Sequence, residues 1–188
     1  MTETLQTSRT LNGIDVLSLK QLPEGVAQGR HSGIVKFGVS TQWRGGTTSE
    51  TRVTGYDFSG PHVKRNFSIH SDEPYEILGS NQHPNPQELL MAGFNACMTV
   101  GYVVGATARG IELESISIET EGELDMRGFL GLDAKVKPGY DTLHYTVRIK
   151  GDGTAEQFRE IHEEVIRTSP NRFNIANPIR LTADLVVE

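Results

Sequence analysis

The sequence predicts an α+β protein in which antiparallel strands pack on one long, buried helix. Several segments alternate apolar and polar residues with a period of two, as in Ile116, Ile118 and Thr120 against Ser117, Glu119 and Glu121. That alternation is the signature of half-buried strands, and its one-sidedness suits antiparallel pairing. Residues 89–108 carry no charge at all, which marks a helix apolar on every side and therefore central to a core. Thr154 and Gln157 form a capping box that opens a second helix with the buried stripe Phe158, Ile161 and Val165.

Taken in order, residues 1–33 are polar and irregular and read as an N-terminal extension. They hold a short helical turn around residues 18–27 that Pro23 and Gly25 limit. Residues 34–188 read as a single domain. Val35, Phe37, Val39, Thr41 and Trp43 define a strand with one buried face, Arg44-Gly45-Gly46-Thr47 a turn, and residues 50–55 the returning strand. Val63, Arg65, Phe67 and Ile69 suggest a third strand, closed by Asp72-Glu73-Pro74.

Pro84 and Pro86 bracket Asn85, which is biased away from helical dihedrals, and Pro86 fits the first position of a helix that runs to about Arg109, with Gly110 as its cap. A strand over residues 116–125 follows, then a loop over 128–139 rich in glycine, then a strand through Leu143, Tyr145, Val147 and Ile149. The capped helix ends at Ser169-Pro170, a short irregular piece follows, and Leu181, Ala183, Leu185 and Val187 form a last strand.

Composition narrows the function classes. The chain has 188 residues and a net charge of -6, enough length to bury roughly 70% of the unfolded surface and the wrong sign for a nucleic-acid partner. A single cysteine rules out an internal disulfide. The first residues, Met1-Thr2-Glu3-Thr4-Leu5, lack a basic stretch followed by an apolar run, so the expectation is a cytoplasmic protein without a signal peptide. Residues 89–108 are long enough to cross a bilayer, but Asn95, Thr99, Tyr102 and Thr107 argue for a core helix and no membrane partner. His162-Glu163-Glu164 lacks the second histidine of a zinc helix, so neither a metal nor a cofactor is expected.

The lone thiol, Cys97, lies in the apolar helix with Gly93, Gly101 and Gly105, each four residues from the next, so the four share one side of it. Such a small-residue stripe lets another backbone approach closely, and a helix needing partners all round suggests a homodimer. Cys97 is either a small apolar filler or a nucleophile. It sits too deep in the helix for the N-terminal dipole to favour its thiolate, so activation requires an arginine or histidine from elsewhere in the fold.

Asn85-Pro86-Gln87-Glu88-Leu89-Leu90, followed by Ala96-Cys97, resembles the helix signature of the OsmC/Ohr family, the osmotically inducible and organic-hydroperoxide-resistance proteins. The resemblance extends over about residues 35–188, through Arg44-Gly45-Gly46 and the Ser169-Pro170 step. It implies an intertwined homodimer with antiparallel sheets on the central helix. It also implies thiol-dependent reduction of an organic hydroperoxide, within an oxidative-stress role. In the family a peroxidatic cysteine works with an arginine and a glutamate, and a second cysteine resolves the sulfenic acid.

By position, Cys97 matches the peroxidatic cysteine, and Arg44 matches the arginine with Arg52 as competitor. The glutamate position is Gln87, with Glu88 next door but about 100° round the helix. The second cysteine is Ser169, which cannot form a disulfide. A single-cysteine peroxidase therefore needs an external thiol reductant or a disulfide between molecules. The alternative is a non-peroxidatic relative whose dimer cleft binds a small apolar molecule, with Cys97 serving only in packing.

Overall fold

The computed structural model describes residues 9–187, and the chain divides into two compact units, Met1–Ala92 and Gly93–Glu188. Of the expected extension over residues 1–33, residues 1–8 lie outside the described residues. In the first unit, β1 (Thr10–Leu11) and β2 (Ile14–Asp15) form a small hairpin that runs into α1 (Val16–Ala27). This helix is longer than the predicted turn. Asp15 caps it by accepting a 2.7 Å bond from the Ser18 amide, and Pro23 is carried inside it. A proline removes only one of the helix's backbone bonds, and the cap fixes the start two residues earlier than the sequence suggests.

β3 (Lys36–Trp43), β4 (Ser49–Asp57) and β5 (Ser68–Ser71) form an antiparallel sheet in that order. The β3–β4 turn is closed by Arg44 N–H to Thr48 C=O and Thr48 N–H to Gly45 C=O, both 2.9 Å. Gly45 and Gly46 take φ of 105° and 52° there, values that favour glycine. β5 is shorter than predicted. Val63 instead makes an isolated bridge to Tyr56, one residue out of register with the Arg52–Ser68 pairing, so the ladder cannot continue between them.

The pleat gives this sheet two unlike faces. Ser40, Gln42, Arg44, Glu50, Arg52 and His70 share one, while Val39, Thr41, Trp43, Thr51 and Ile69 share the other. The sequence predicts the apolar face of β3 to be buried. In the chain by itself it is not: Phe37 is 68% exposed and Trp43 75% exposed, because no element among the described residues covers them.

α2 (Pro86–Ala108) begins in the first unit and continues into the second. Its start is a reciprocal cap, with the Glu88 amide donating to Asn85 Oδ1 and the Asn85 amide to Glu88 Oε2. Its end is a Schellman motif. The Ile111 amide donates to Ala106 C=O and the Gly110 amide to Thr107 C=O, with Gly110 at φ 74° as the sequence predicts.

In the second unit β6 (Leu113–Gly122) pairs antiparallel with β7 (Leu143–Gly151). Between them the predicted loop opens with a short helix, α3 (Met126–Phe129), capped by Asp125. α4 (Ala155–Thr168) carries the predicted Thr154–Gln157 capping box. The core joins Phe94, Met98, Tyr102 and Ala106 of α2 to Ile161 and Val165 of α4, with Ile116, Ile118, Tyr145 and Val147 of the strands packed on it. Burial pushes the Tyr102 hydroxyl up to about 12, and a hydrogen bond to His162 Nδ1 satisfies it.

Two predicted features of this unit change. The piece after Ser169 is a helix, α5 (Pro170–Ala176), because Ser169 caps it and Pro170 occupies its favoured first position. The predicted last strand is absent, with Leu181 and Leu185 87% and 90% exposed. A strand exists only where a neighbour takes its N–H and C=O groups, and among the described residues none does so for residues 181–187.

The glycine stripe of α2 is matched step for step within this same unit. A Cβ on Gly105 would lie 3.0 Å from Ile161 Cγ2, and one on Gly101 would lie 3.0 Å from Val165 Cγ2. Farther back, Cys97 meets Ser169, and Gly93 C=O accepts a 2.8 Å bond from Asn171 Nδ2. Rows spaced by four residues on both helices therefore interdigitate. Ile161→Ala is expected to destabilise the protein by about 2–5 kcal/mol and Gly105→Val by about 1–3 kcal/mol. Denaturant unfolding curves measure both.

Candidate functional site

The stripe places Cys97 in a definite chemical setting. α2 presents it half-buried, and the α4–α5 junction brings Ser169, 5% exposed, to it from the far end of the sequence. The Cys97 Sγ to Ser169 Oγ distance is 3.4 Å. Ser169 is fixed from both sides: its amide donates to Val165 C=O, and its hydroxyl accepts from the Arg172 amide. Arg172 in turn donates from Nη1 to Ile166 C=O at 3.1 Å, so its guanidinium is tied to the backbone of α4. A thiol beside a hydroxyl can donate or accept a hydrogen bond at sulfur.

The predicted arginines lie together in the first unit. Arg44 donates to Glu50 Oε2 from Nε at 2.9 Å and from Nη2 at 2.7 Å, while Arg52 Nε donates to Glu50 Oε1 at 2.9 Å. One carboxylate thus grips two guanidiniums, and the bonds from Arg44, then those from Arg52, hold the Glu50 carboxyl below its usual range. Glu88, the expected supporting residue, caps α2, its carboxylate accepting from the Asn85 amide. Gln87 sits half-buried in the first turn beside it.

Sequence reasoning missed two residues of this region, Glu50 and Asp72. Asp72 is 1% exposed and holds the arginine turn to the approach of α2. It accepts from Thr47 Oγ1 at 2.5 Å, from Ser80 N–H and Oγ at 3.0 and 2.6 Å, and from the Gln82 amide at 3.2 Å. Those bonds, Ser80's first, hold its carboxyl far below the ordinary range. A depressed carboxylate contributes stability that is present above the unfolded pKa and lost as pH falls through the folded one. We expect the Ser80 and Gln82 amides to lose hydrogen-exchange protection only in strong acid, and Asp72→Asn to lose it already at neutral pH.

An open cleft of about 1040 Å³ in the second unit is lined by Glu121, Glu123, Lys135, Lys137, Asp141 and His144 among others. Its walls are charged and include none of the predicted site residues. Among the described residues no cluster of histidine, cysteine or carboxylates is arranged to hold a metal.

A family model described as OsmC-like protein matches residues 79–184, more than half of the chain. The chain belongs to the OsmC-like family. The match takes in Cys97, Gln87 and Ser169, whereas the Arg44–Glu50–Arg52 cluster precedes it. Solved structures carry the same fold. An OsmC-like protein from Mycoplasma pneumoniae superposes with a TM-score of 0.60 at 13% identity, covering 76% of this chain and 89% of the other. A Psychrobacter arcticus protein described for osmotic stress induction and detoxification response gives 0.57 at 14% identity, covering 74% and 88%. An OsmC-like protein from Vibrio cholerae gives 0.57 at 13%, covering 73% and 91%. No curated protein matches the chain. At these identities the likeness establishes the OsmC-like fold.

Proposed function

We propose that this OsmC-like protein is a soluble, cytoplasmic, homodimeric peroxidase that reduces an organic hydroperoxide with Cys97, as part of a response to oxidative stress. The observation that carries the reading is the contact of Cys97 Sγ with Ser169 Oγ at 3.4 Å. It joins the residue matching the family's peroxidatic cysteine to the one standing where its resolving cysteine would be.

The thiolate attacks one oxygen of the hydroperoxide. An S–O bond forms as the O–O bond breaks, the alkoxide leaves with the electron pair and is protonated to the alcohol, and the sulfur becomes a sulfenic acid. A guanidinium supports the thiolate and the departing oxyanion, the part that the family resemblance assigns to Arg44. Ser169 cannot resolve the sulfenic acid by a disulfide. An external thiol therefore attacks the sulfur and expels water, and a second thiol releases the mixed disulfide to restore Cys97.

The test is to expose reduced native protein to cumene hydroperoxide and follow oxidation at Cys97 by mass spectrometry. Rapid, stoichiometric oxidation supports the proposal. Native protein inert under excess oxidant, while unfolded protein reacts, overturns it.

The apolar face of β3 and the unpaired residues 181–187 favour the homodimer. Phe37, Val39 and Trp43 are exposed, and the apolar residues of 181–187 find no ladder among the described residues; a second copy can bury both sets. Sedimentation equilibrium is expected to give twice the chain mass, and deletion of residues 181–187 is expected to raise the dimer dissociation constant at least about tenfold. A wild-type monomer at micromolar concentration removes this part of the proposal.

A further inference from the structure

We infer that Ser169 is a further catalytic residue of the peroxide chemistry proposed above: its hydroxyl donates a hydrogen bond to Cys97 Sγ and favours the thiolate. The inference rests on that reading of Cys97.

Every residue it uses lies in the second unit, and packing sets the distance. Gly105 of α2 receives Ile161 of α4, and Gly101 receives Val165. One more step of four along both helices brings Sγ to 3.4 Å from Ser169 Oγ, a hydrogen-bonding separation for an atom as large as sulfur.

The direction of this bond follows from what else Ser169 does. It leaves α4 with φ -68° and ψ 118°, and its amide, not its hydroxyl, takes Val165 C=O at 2.9 Å. The hydroxyl oxygen accepts from the Arg172 amide at 3.4 Å, and Arg172 is held by its own bond to Ile166 C=O. A hydroxyl has one proton to give. Among the described residues, Sγ is the one acceptor placed to take it. Ser169 is 5% exposed, so water competes little for that proton.

The consequence is a bias in protonation. A thiol can donate to the hydroxyl or accept from it, whereas a thiolate can only accept, and a bond to an ionised acceptor is the stronger one. A hydrogen bond that strengthens in the charged form favours that form. The residue standing in place of a second cysteine thus helps to activate the first. A thiolate held in this way is more abundant at neutral pH but individually less nucleophilic, and those two effects shape the test.

The experiment compares native wild type, Ser169→Gly and Ser169→Thr. Cys97 is the chain's single thiol, so its alkylation by iodoacetamide is followed from about pH 5 to pH 10. Oxidation by cumene hydroperoxide and the thermal midpoint are read in parallel. Glycine is nearly as good as serine at a helix N-cap, so Ser169→Gly is expected to keep the fold. Its alkylation profile is expected to move toward alkali by about one pH unit. Alkylation and peroxide oxidation at neutral pH should slow about threefold, while the alkylation rate in alkali stays at or above that of wild type. Ser169→Thr keeps the hydroxyl and suits the extended backbone, and is expected to restore the wild-type profile.

Superimposable profiles in wild type and Ser169→Gly overturn the inference while leaving the peroxidase reading intact. Slower alkylation at every pH with no shift overturns it too, since it marks Ser169 as a fold element only. So does a folded Ser169→Thr protein whose profile follows that of Ser169→Gly. A Cys97 that alkylates as described but is never oxidised by the peroxide removes the peroxidase reading, and the catalytic role of Ser169 with it.

Discussion

Replacing Ser169 with cysteine is expected to convert this chain into a two-cysteine protein that closes an intramolecular disulfide at the first turnover. The present side chains touch, Sγ to Oγ, at 3.4 Å, and a disulfide needs about 2.05 Å between sulfurs, with a longer C–S bond at position 169 helping to close the gap. Both positions lie on well-fixed backbone, one inside α2 and one capping α5. The sulfenic acid formed on Cys97 would be attacked by the new thiol, the S–S bond forming as water leaves.

Intact mass after one equivalent of cumene hydroperoxide should fall by about 2 Da in the variant, from loss of two hydrogens, where wild type gains oxygen. The bond would close a loop across a sequence separation of 72 residues, worth about 4 kcal/mol by loop-closure entropy, so the oxidised variant should unfold at markedly higher denaturant. Over-oxidation of both thiols without a disulfide would show that the two side chains do not meet as described.

The contact is instructive about what a sequence discloses. The stripe of Gly93, Cys97, Gly101 and Gly105 is legible as a surface for close approach, because spacing by four is a property of the helix alone. Its partner is not. Steps of four along α4, from Ile161 to Val165 to Ser169, match it only once the two helices are laid against each other. A chain with one other good helix points to a second copy for this role, whereas the short turn over residues 152–154 leads the chain's own α4 back against the stripe.

Caps were legible for a related reason. Thr154 with Gln157 acts over three residues, and so does Asn85 with Glu88. The same locality explains the misjudged α1 and α5, where Asp15 and Ser169 supply caps that composition alone underweights.

Strands depend on neighbours, and there the sequence says less. Alternation identified β3, β4, β6 and β7 to within a few residues. It could not tell that, among the described residues, the apolar face of β3 finds no cover and residues 181–187 find no ladder, since burial and pairing are properties of what lies opposite. Glu50 was hidden in the same way. It stands two residues before Arg52 and six after Arg44, and only the hairpin register sets all three on one face.

Cys97→Ser separates the catalytic from the packing role of the sulfur more sharply than any other change. Serine is nearly isosteric, and at a half-buried position facing another hydroxyl its own O–H gains a partner in Ser169. The fold should therefore survive, with the thermal midpoint moved by no more than a few degrees. Chemistry should not survive. A hydroxyl cannot be oxidised to a sulfenic acid, and no second thiol exists in the chain to take over. Thiol-dependent consumption of cumene hydroperoxide is expected to fall at least about a thousandfold, to the uncatalysed background. Consumption at the wild-type rate in a folded Cys97→Ser protein would make the sulfur a packing atom. The small-residue stripe would then be explained by helix approach alone, and the dimer's cleft for a small apolar molecule would become the reading to pursue.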